Sequence, residues 1–440
     1  MKCRCTIAII AEFLMCVLLV APVCPAQQET VLSKDNQGLV SDILRKAHDE
    51  VKKHYYDPKL HGLDLDARYT QYSERIGKAH DLGDGYRVVA AYLAGLKDSH
   101  TYFVPPSRAN HFDYGYRYAL VGDACFITHI RPGTDAESKL HVGDRIGNMN
   151  GYGVDRQDYP DVRYYFGTLA PQGSTKLALW SPSGGGREAV VNAINRPDKK
   201  VMDLTEGEDY YDLVRRSENE DHATHDRIIE NGDVAIWKMQ QFDLGIDGVE
   251  KGIGIARKHK ALILDLRGDG GGAVRTLELM VGSLFDHDVK ICDRVGRKEL
   301  KPMIAKHHGS PFHGKLIVLV DAGSASASEL LARVVQLEHR GTVIGDKTAG
   351  AVMEAMDYQE SLGADTQIFY LFSVTDANLI MTDGKSLENM GVAPDELLLP
   401  TGADLAAGRD PVLARAAELA GVKLDTVDAG KMFPYEWLPM

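Results

Sequence analysis

The sequence predicts an α/β protein in successive parts: a helical unit, an inserted β domain and an α/β core. Three patterns predict this. Apolar residues recur at helical spacing through residues 36–98. Short β-like runs broken by glycine and proline fill residues 114–195. From residue 232 onward, continuous apolar runs of strand length alternate with helical segments, as in a sheet covered on both faces. The 440 residues suffice for two or three domains. A chain 44% hydrophobic and 26% charged, with mean hydropathy −0.22, is globular rather than disordered or fibrous. A net charge of −13 and a pI near 5.7 argue against a nucleic-acid partner and against docking on anionic lipid.

Residues 1–26 read as a signal peptide. Lys2 and Arg4 supply positive charge, 13–23 is apolar, and Cys24-Pro25-Ala26 resembles a small-residue cleavage site. The expected location is outside the cytoplasm, periplasmic or extracellular. An uncleaved anchor is the rival reading, and membrane contact is expected only through this leader. Cys3, Cys5, Cys16 and Cys24 lie in it, which leaves Cys125 and Cys292. Two cysteines make neither a zinc site nor a disulfide framework. Whether they pair stays open, and no metal or cofactor is expected.

Residues 30–112 form the N-terminal helical unit. Leu39, Ile43, Leu44, Ala47 and Val51 mark its first helix, with others over 69–80 and 86–96. Asp57-Pro58 and Gly83-Asp84-Gly85 separate them, and the unit ends at Asp98-Ser99-His100-Thr101-Tyr102. In the β domain, 114–195, strands are expected at 119–121, 124–130, 176–180 and 189–193. Its order of strand, Pro-Gly, Ala, Gly143-Asp-Arg-Ile146 and Asn150-Gly151 resembles PDZ domains, which take up a peptide C-terminus as an added strand. A plain β insert is the alternative. Residues 196–231 read as a polar connector. The core spans 232–424, with strands at 234–239, 261–266 and 315–320 and helices at 245–258, 274–285, 329–338 and 411–420. Residues 425–440 are a C-terminal tail.

Four pieces carry chemistry. Gly323-Ser-Ala-Ser326-Ala-Ser-Glu329 follows a strand and opens a helix, where free N–H groups favour developing negative charge. That suits Ser326 as an acyl-transfer nucleophile, although Ser326-x-x-Glu329 also spells a capping box. Leu264-Asp-Leu-Arg267-Gly-Asp-Gly-Gly271-Gly272 is a glycine-rich loop without nucleotide-loop spacing, better suited to an oxyanion hole. The third piece is His100 in Ser99-His100-Thr101. The fourth is Glu388 in Glu388-Asn-Met-Gly-Val392.

Together, in this order, the pieces resemble the tail-specific, or C-terminal-processing, serine peptidases and their tricorn-core relatives, over about residues 36–420. The resemblance implies a crotonase-like core of repeated ββα turns. In the processing branch the middle serine of Ser-Ala-Ser-Ala-Ser pairs with a lysine 25 positions downstream, where this chain has Ala351. Lys347 is the nearest substitute. The tricorn-core branch uses a serine, a histidine in Ser-His-Thr and a glutamate in Glu-Asn-x-Gly-Val, which here are Ser326, His100 and Glu388. An imidazole suits general-base work near neutrality. Glu388 would hold its tautomer, directly or through another residue. The oxyanion donors would be the N–H of Ala327 and that of Gly271, favoured over Gly272, with Arg267 positioning the loop. The resemblance thus implies an exported endopeptidase acting on polypeptides, with the PDZ-like insert selecting C-termini or gating access. A catalytically inactive peptide- or lipid-binding relative is the alternative. A crotonase-type acyl-CoA enzyme is disfavoured by the leader.

Overall fold

The computed structural model describes residues 31–108, 110–197, 226–362 and 368–437. The leader and residues 198–225 of the connector lie outside them.

The expected α/β core is present. Its sheet runs Arg227–Asn231, Val234–Lys238, Ala261–Asp265, Lys315–Val320, Gly341–Gly345 and Glu396–Leu397; the first pair is antiparallel and the others parallel. The apolar runs are buried on both faces because alternate residues feed two cores. Trp237, Leu264 and Val318 pack against helices Ile246–Ala256, Val274–Gly282 and Ala327–Leu337. Ile236, Ile263 and Ile317 pack against helix Pro411–Leu419. The strand Arg227–Asn231 corrects the expected connector boundary: Ile229 lies opposite Ile236 and Ile228 packs on the core. Residues 425–437 likewise contain helix Thr426–Lys431, with Ala429 buried in the second core.

A second, antiparallel sheet was not legible in the sequence. Its long strand Ile368–Met381 pairs with Met353–Leu362, with Val289–Gly296 and with Tyr102–Val104. The last pairing delivers the helical unit to the core. That unit has helices Lys34–His54, Leu65–Ile76 and Leu82–Leu93, close to the three expected. Phe103, fully buried opposite Phe372, sits among the rings of Tyr86, Tyr370 and Phe372.

The insert is an antiparallel sheet in the order Tyr116–Val121, Ala124–Ile130, Arg145–Met149, Ser174–Trp180 and Gly186–Asn192. Helix Tyr159–Tyr164 covers it. A ribbon of Asn110–Asp113 against Ile194–Pro197 carries the chain in and out. Tyr116–Val121 is an edge strand within this sheet. Cys125 and Cys292 are free thiols in separate cores, and burial pushes each up to about 12. Among the described residues no helix is long and apolar enough to cross a membrane.

The ring cluster at Phe103 anchors the strand that ties the His100 segment to the long strand. Phe103→Ala should therefore cost about 3–5 kcal/mol, read from chemical denaturation. A change below about 1 kcal/mol would contradict this role.

Candidate active site

Three loops leave the carboxyl ends of three neighbouring parallel strands, the edge where open α/β sheets place their ligands. Asp265 leads to the glycine loop, Val320 to the serine turn and Gly345 to residues 346–352. The sheet register thus gathers pieces that are far apart in sequence.

Ser326 stands at the N-cap of helix Ala327–Leu337 with φ 53° and ψ −114°. A positive φ at a residue with a side chain costs about 1–3 kcal/mol and persists only where surrounding bonds dictate it. Here they do. The Ser326 N–H is shared between Ala351 O at 2.9 Å and Glu329 Oε2 at 3.1 Å. The outer serines of the run are bolted to the glycine loop: Ser324 Oγ donates to Leu266 O at 2.7 Å, and Ser328 Oγ to Asp269 O at 3.0 Å. The Ser326 hydroxyl donates to none of the described groups. The Ala327 N–H, at the first turn of the helix, has no partner among the described residues.

The glycine loop crosses directly over this serine. A Cβ on Gly271, whose φ is +96°, would lie 2.7 Å from Ser326 Cβ and 2.9 Å from Ala327 N. Only glycine lets the two loops approach so closely. The Gly271 N–H, however, is already donated to Asp269 Oδ1 at 2.8 Å. Gly272 N–H has no partner among the described residues, so the geometry favours Gly272 over Gly271 as the second donor. Arg267 is not a surface ion pair. It forms paired bonds to Asp265 at 2.8 Å and reaches Asp410 at 2.8 and 2.9 Å. Asp410 also caps the helix on the far face of the sheet, so Arg267 fixes the start of the loop to that layer.

Glu329 ties the 346–352 loop to the serine turn. Its carboxylate accepts from Thr348 Oγ1 at 2.5 Å, Gly350 N at 2.8 Å, Ala351 N at 2.9 Å and Ser326 N. Burial pushes its pKa up to about 7, opposed by these donors. Ala351, where the processing branch has lysine, contributes its carbonyl to Ser326. Lys347 is exposed, and its ammonium makes no bond to the described site residues.

Glu388 reaches His100 through a residue to which the sequence reading gave no role. Glu388 Oε1 accepts the Ser99 N–H at 2.7 Å, and Oε2 accepts both the Ser99 hydroxyl at 2.8 Å and the Val352 N–H at 2.8 Å. Ser99 Oγ then lies 2.7 Å from His100 Nδ1. With the hydroxyl proton directed to Glu388, Nδ1–H donates to Ser99 Oγ and Nε2 is left as the acceptor. The position of Ser99, next to the histidine in Ser99-His100-Thr101, was the available signal. Asp98 braces this turn: its Oδ1 accepts from His100 N, Thr101 N and Thr375 Oγ1. Ser326 and the Glu388–Ser99–His100 line meet through one peptide unit, since Ala351 O serves Ser326 and Val352 N serves Glu388. No hydrogen bond joins Ser326 and His100 among the described residues. Such bonds are often long before substrate binds.

Burial lowers the His100 pKa from 6.5, with Asp98 partly opposing, and raises that of Glu388 above the usual carboxylate range. The imidazole is therefore neutral at pH 7. An NMR titration of the His100 ring should give a midpoint below 6.5; a midpoint above it would contradict the burial argument.

Comparison with known proteins shows what these loops are similar to. Residues 233–398 match the peptidase family S41 model, a span that includes Arg267, Gly271, Gly272, Ser326, Ala327 and Glu388 but not His100. Tricorn protease homolog 2 of Streptomyces coelicolor is 26% identical over 90% of this chain and 34% of its own length. The tail-specific protease of Haemophilus influenzae is 24% identical over 70% of this chain and 45% of its own. Carboxyl-terminal-processing peptidase 3 of Arabidopsis thaliana chloroplasts is 25% identical over 81% and 68%. The chain thus spans less than half the length of the first two. Mature CPAF shares the fold, with TM-score 0.62, 16% identity and coverage of 84% of this chain and 94% of that one. By its core at residues 233–398, the chain is similar to peptidase family S41.

Proposed function

We propose that the chain is an exported serine endopeptidase that cleaves polypeptides through an acyl-enzyme on Ser326, served by His100, Ser99 and Glu388. The observation that carries this reading is the line from Glu388 through Ser99 to His100 Nδ1, which leaves Nε2 as a proton acceptor, together with the strained, half-buried Ser326 at the helix N-cap. Ser326 Oγ attacks the scissile carbonyl while His100 Nε2 takes its proton. The imidazolium charge is stabilised by Glu388 across the Ser99 hydroxyl. The carbonyl oxygen, now negative, is held by the N–H groups of Ala327 and Gly272. His100 then protonates the leaving amine, and water, deprotonated by the same base, releases the acid.

The core is read as crotonase-like and the insert as PDZ-like, with the edge strand Tyr116–Val121 as its peptide-binding edge. Relatives named for tail-specific and carboxyl-terminal processing make a polypeptide C-terminus the favoured ligand for that edge. Its end is wired to the site. Gly122, directly after the strand, donates its N–H to Asp346 Oδ2 at 2.7 Å. Arg156 of the insert binds the same Asp346 oxygen at 2.8 Å, Gly122 O at 3.0 Å and Lys347 O at 3.1 Å. Asp346 and Lys347 begin the loop that supports both Ser326 and Glu388. Occupancy of the insert therefore has a short mechanical route to the nucleophile, which supports gating.

A fluorophosphonate probe should label the wild type and not Ser326→Ala; labelling that survives this change would sink the assignment. His100→Ala should lower kcat by about 10²–10⁴-fold, and Lys347→Ala should change it by less than about threefold. The reverse order would restore a lysine base. Arg156→Ala should weaken the advantage of substrates with a free C-terminal carboxylate over amidated ones. An unchanged ratio would detach the insert from substrate choice.

A further inference from the structure

We propose that Asp269 is a positioning residue of the oxyanion loop that must be uncharged for acylation, so that its ionisation sets the alkaline limit of the reaction. The inference deepens the peptidase reading above and rests on it. Asp269 is fully buried between the two halves of the site. It is joined to both. Its carboxyl Oδ1 accepts the Gly271 N–H at 2.8 Å, and its main-chain oxygen accepts the Ala325 N–H and the Ser328 hydroxyl, each at 3.0 Å. Gly271 in turn lies against Ser326 Cβ and Ala327 N. One residue thus sets the glycine loop and both shoulders of Ser326.

The second carboxyl oxygen, Oδ2, is buried without a hydrogen-bond partner. A carboxylate in that state is strongly unfavourable unless a cation stands beside it. Arg267 and Lys238, the cations at the start of this loop, are committed elsewhere: Arg267 to Asp265 and Asp410, and Lys238 to Asp265. Asp226 and Asp243 both disfavour the ionised form of Asp269. Burial, the larger cause, pushes its pKa up to about 8 against the opposing bond from Gly271. The group is therefore mostly neutral at pH 7.

The consequence for acylation follows from charge. Negative charge grows on the substrate oxygen at the Ala327 and Gly272 donors, beside this carboxyl. An ionised Asp269 would oppose it where little water screens the two. The neutral acid leaves the donors unopposed, while Oδ1 still holds Gly271. Asparagine keeps that acceptor and cannot ionise.

The test compares wild type and Asp269→Asn in two readouts. With a fluorogenic peptide, wild-type kcat/KM should fall above a midpoint near pH 8, by about tenfold per pH unit. Asp269→Asn should stay within about threefold of wild type at pH 6.5 and lack that fall. The second readout needs no activity. A carboxyl whose pKa is raised on folding contributes stability below its unfolded value, and loses it as pH rises to the folded value. The urea midpoint of Asp269→Asn relative to wild type should therefore rise between about pH 4 and pH 8 and level off beyond. An alkaline fall retained in Asp269→Asn, a wild-type rate flat to pH 9.5, or a folded but inactive Asp269→Asn at every pH would overturn the proposal. So would a stability difference independent of pH. If the wild type neither cleaves peptide nor takes the fluorophosphonate, it is the peptidase reading that fails, and the acylation role with it. The stability readout then decides by itself whether Asp269 is held uncharged.

Discussion

One buried carboxylate holds the site together. Glu329 accepts bonds from Thr348, Gly350, Ala351 and Ser326, and so presses the 346–352 loop against the first turn of the serine helix. Removing a carboxyl group from water is costly, and these four donors offset that cost only in part. Three further contacts are mounted on that loop. Ala351 O accepts the Ser326 N–H, Val352 N–H donates to Glu388, and Asp346 accepts the Gly122 N–H of the insert. The loop also crosses the Glu388 segment at Gly350 and Gly391, where a Cβ on either would crowd the other's main chain.

Strain and register do the remaining work. Ser326 keeps a positive φ because its N–H has two acceptors and its neighbours Ser324 and Ser328 are fixed to the glycine loop. Three adjacent parallel strands fix where the three loops begin. The fourth component, His100, arrives by a different route. It precedes Tyr102–Val104, which pairs with the long strand of the second sheet, and Asp98 ties its turn to Thr375. His100 and Ser326 thus belong to separate layers, so their approach depends on how the two sheets sit together.

The core strands were legible because a sheet buried on both faces needs unbroken apolar runs, as at 261–266 and 315–320. The three N-terminal helices were legible from their period. The paired strands Met353–Leu362 and Ile368–Met381 were not, since their residues mix polar and apolar types and their partners lie far away in sequence. Arg227–Asn231 was hidden by its polar flanks. In the site, Ser326, His100 and Glu388 stood out through their motifs. Ser99 did not, because a serine beside a histidine has no distinctive chemistry until Glu388 is brought to it. Asp269 was hidden for the same reason: its unpaired oxygen exists only once the loop is folded against the serine turn.

The central claim is that Glu388 acts on His100 through Ser99. A double-mutant cycle with Ser99→Ala and Glu388→Ala, read in kcat/KM, tests it most directly. If the two act in series, the double variant is no slower than the worse single variant, within about threefold. If the losses multiply, the two residues act independently and the relay is contradicted.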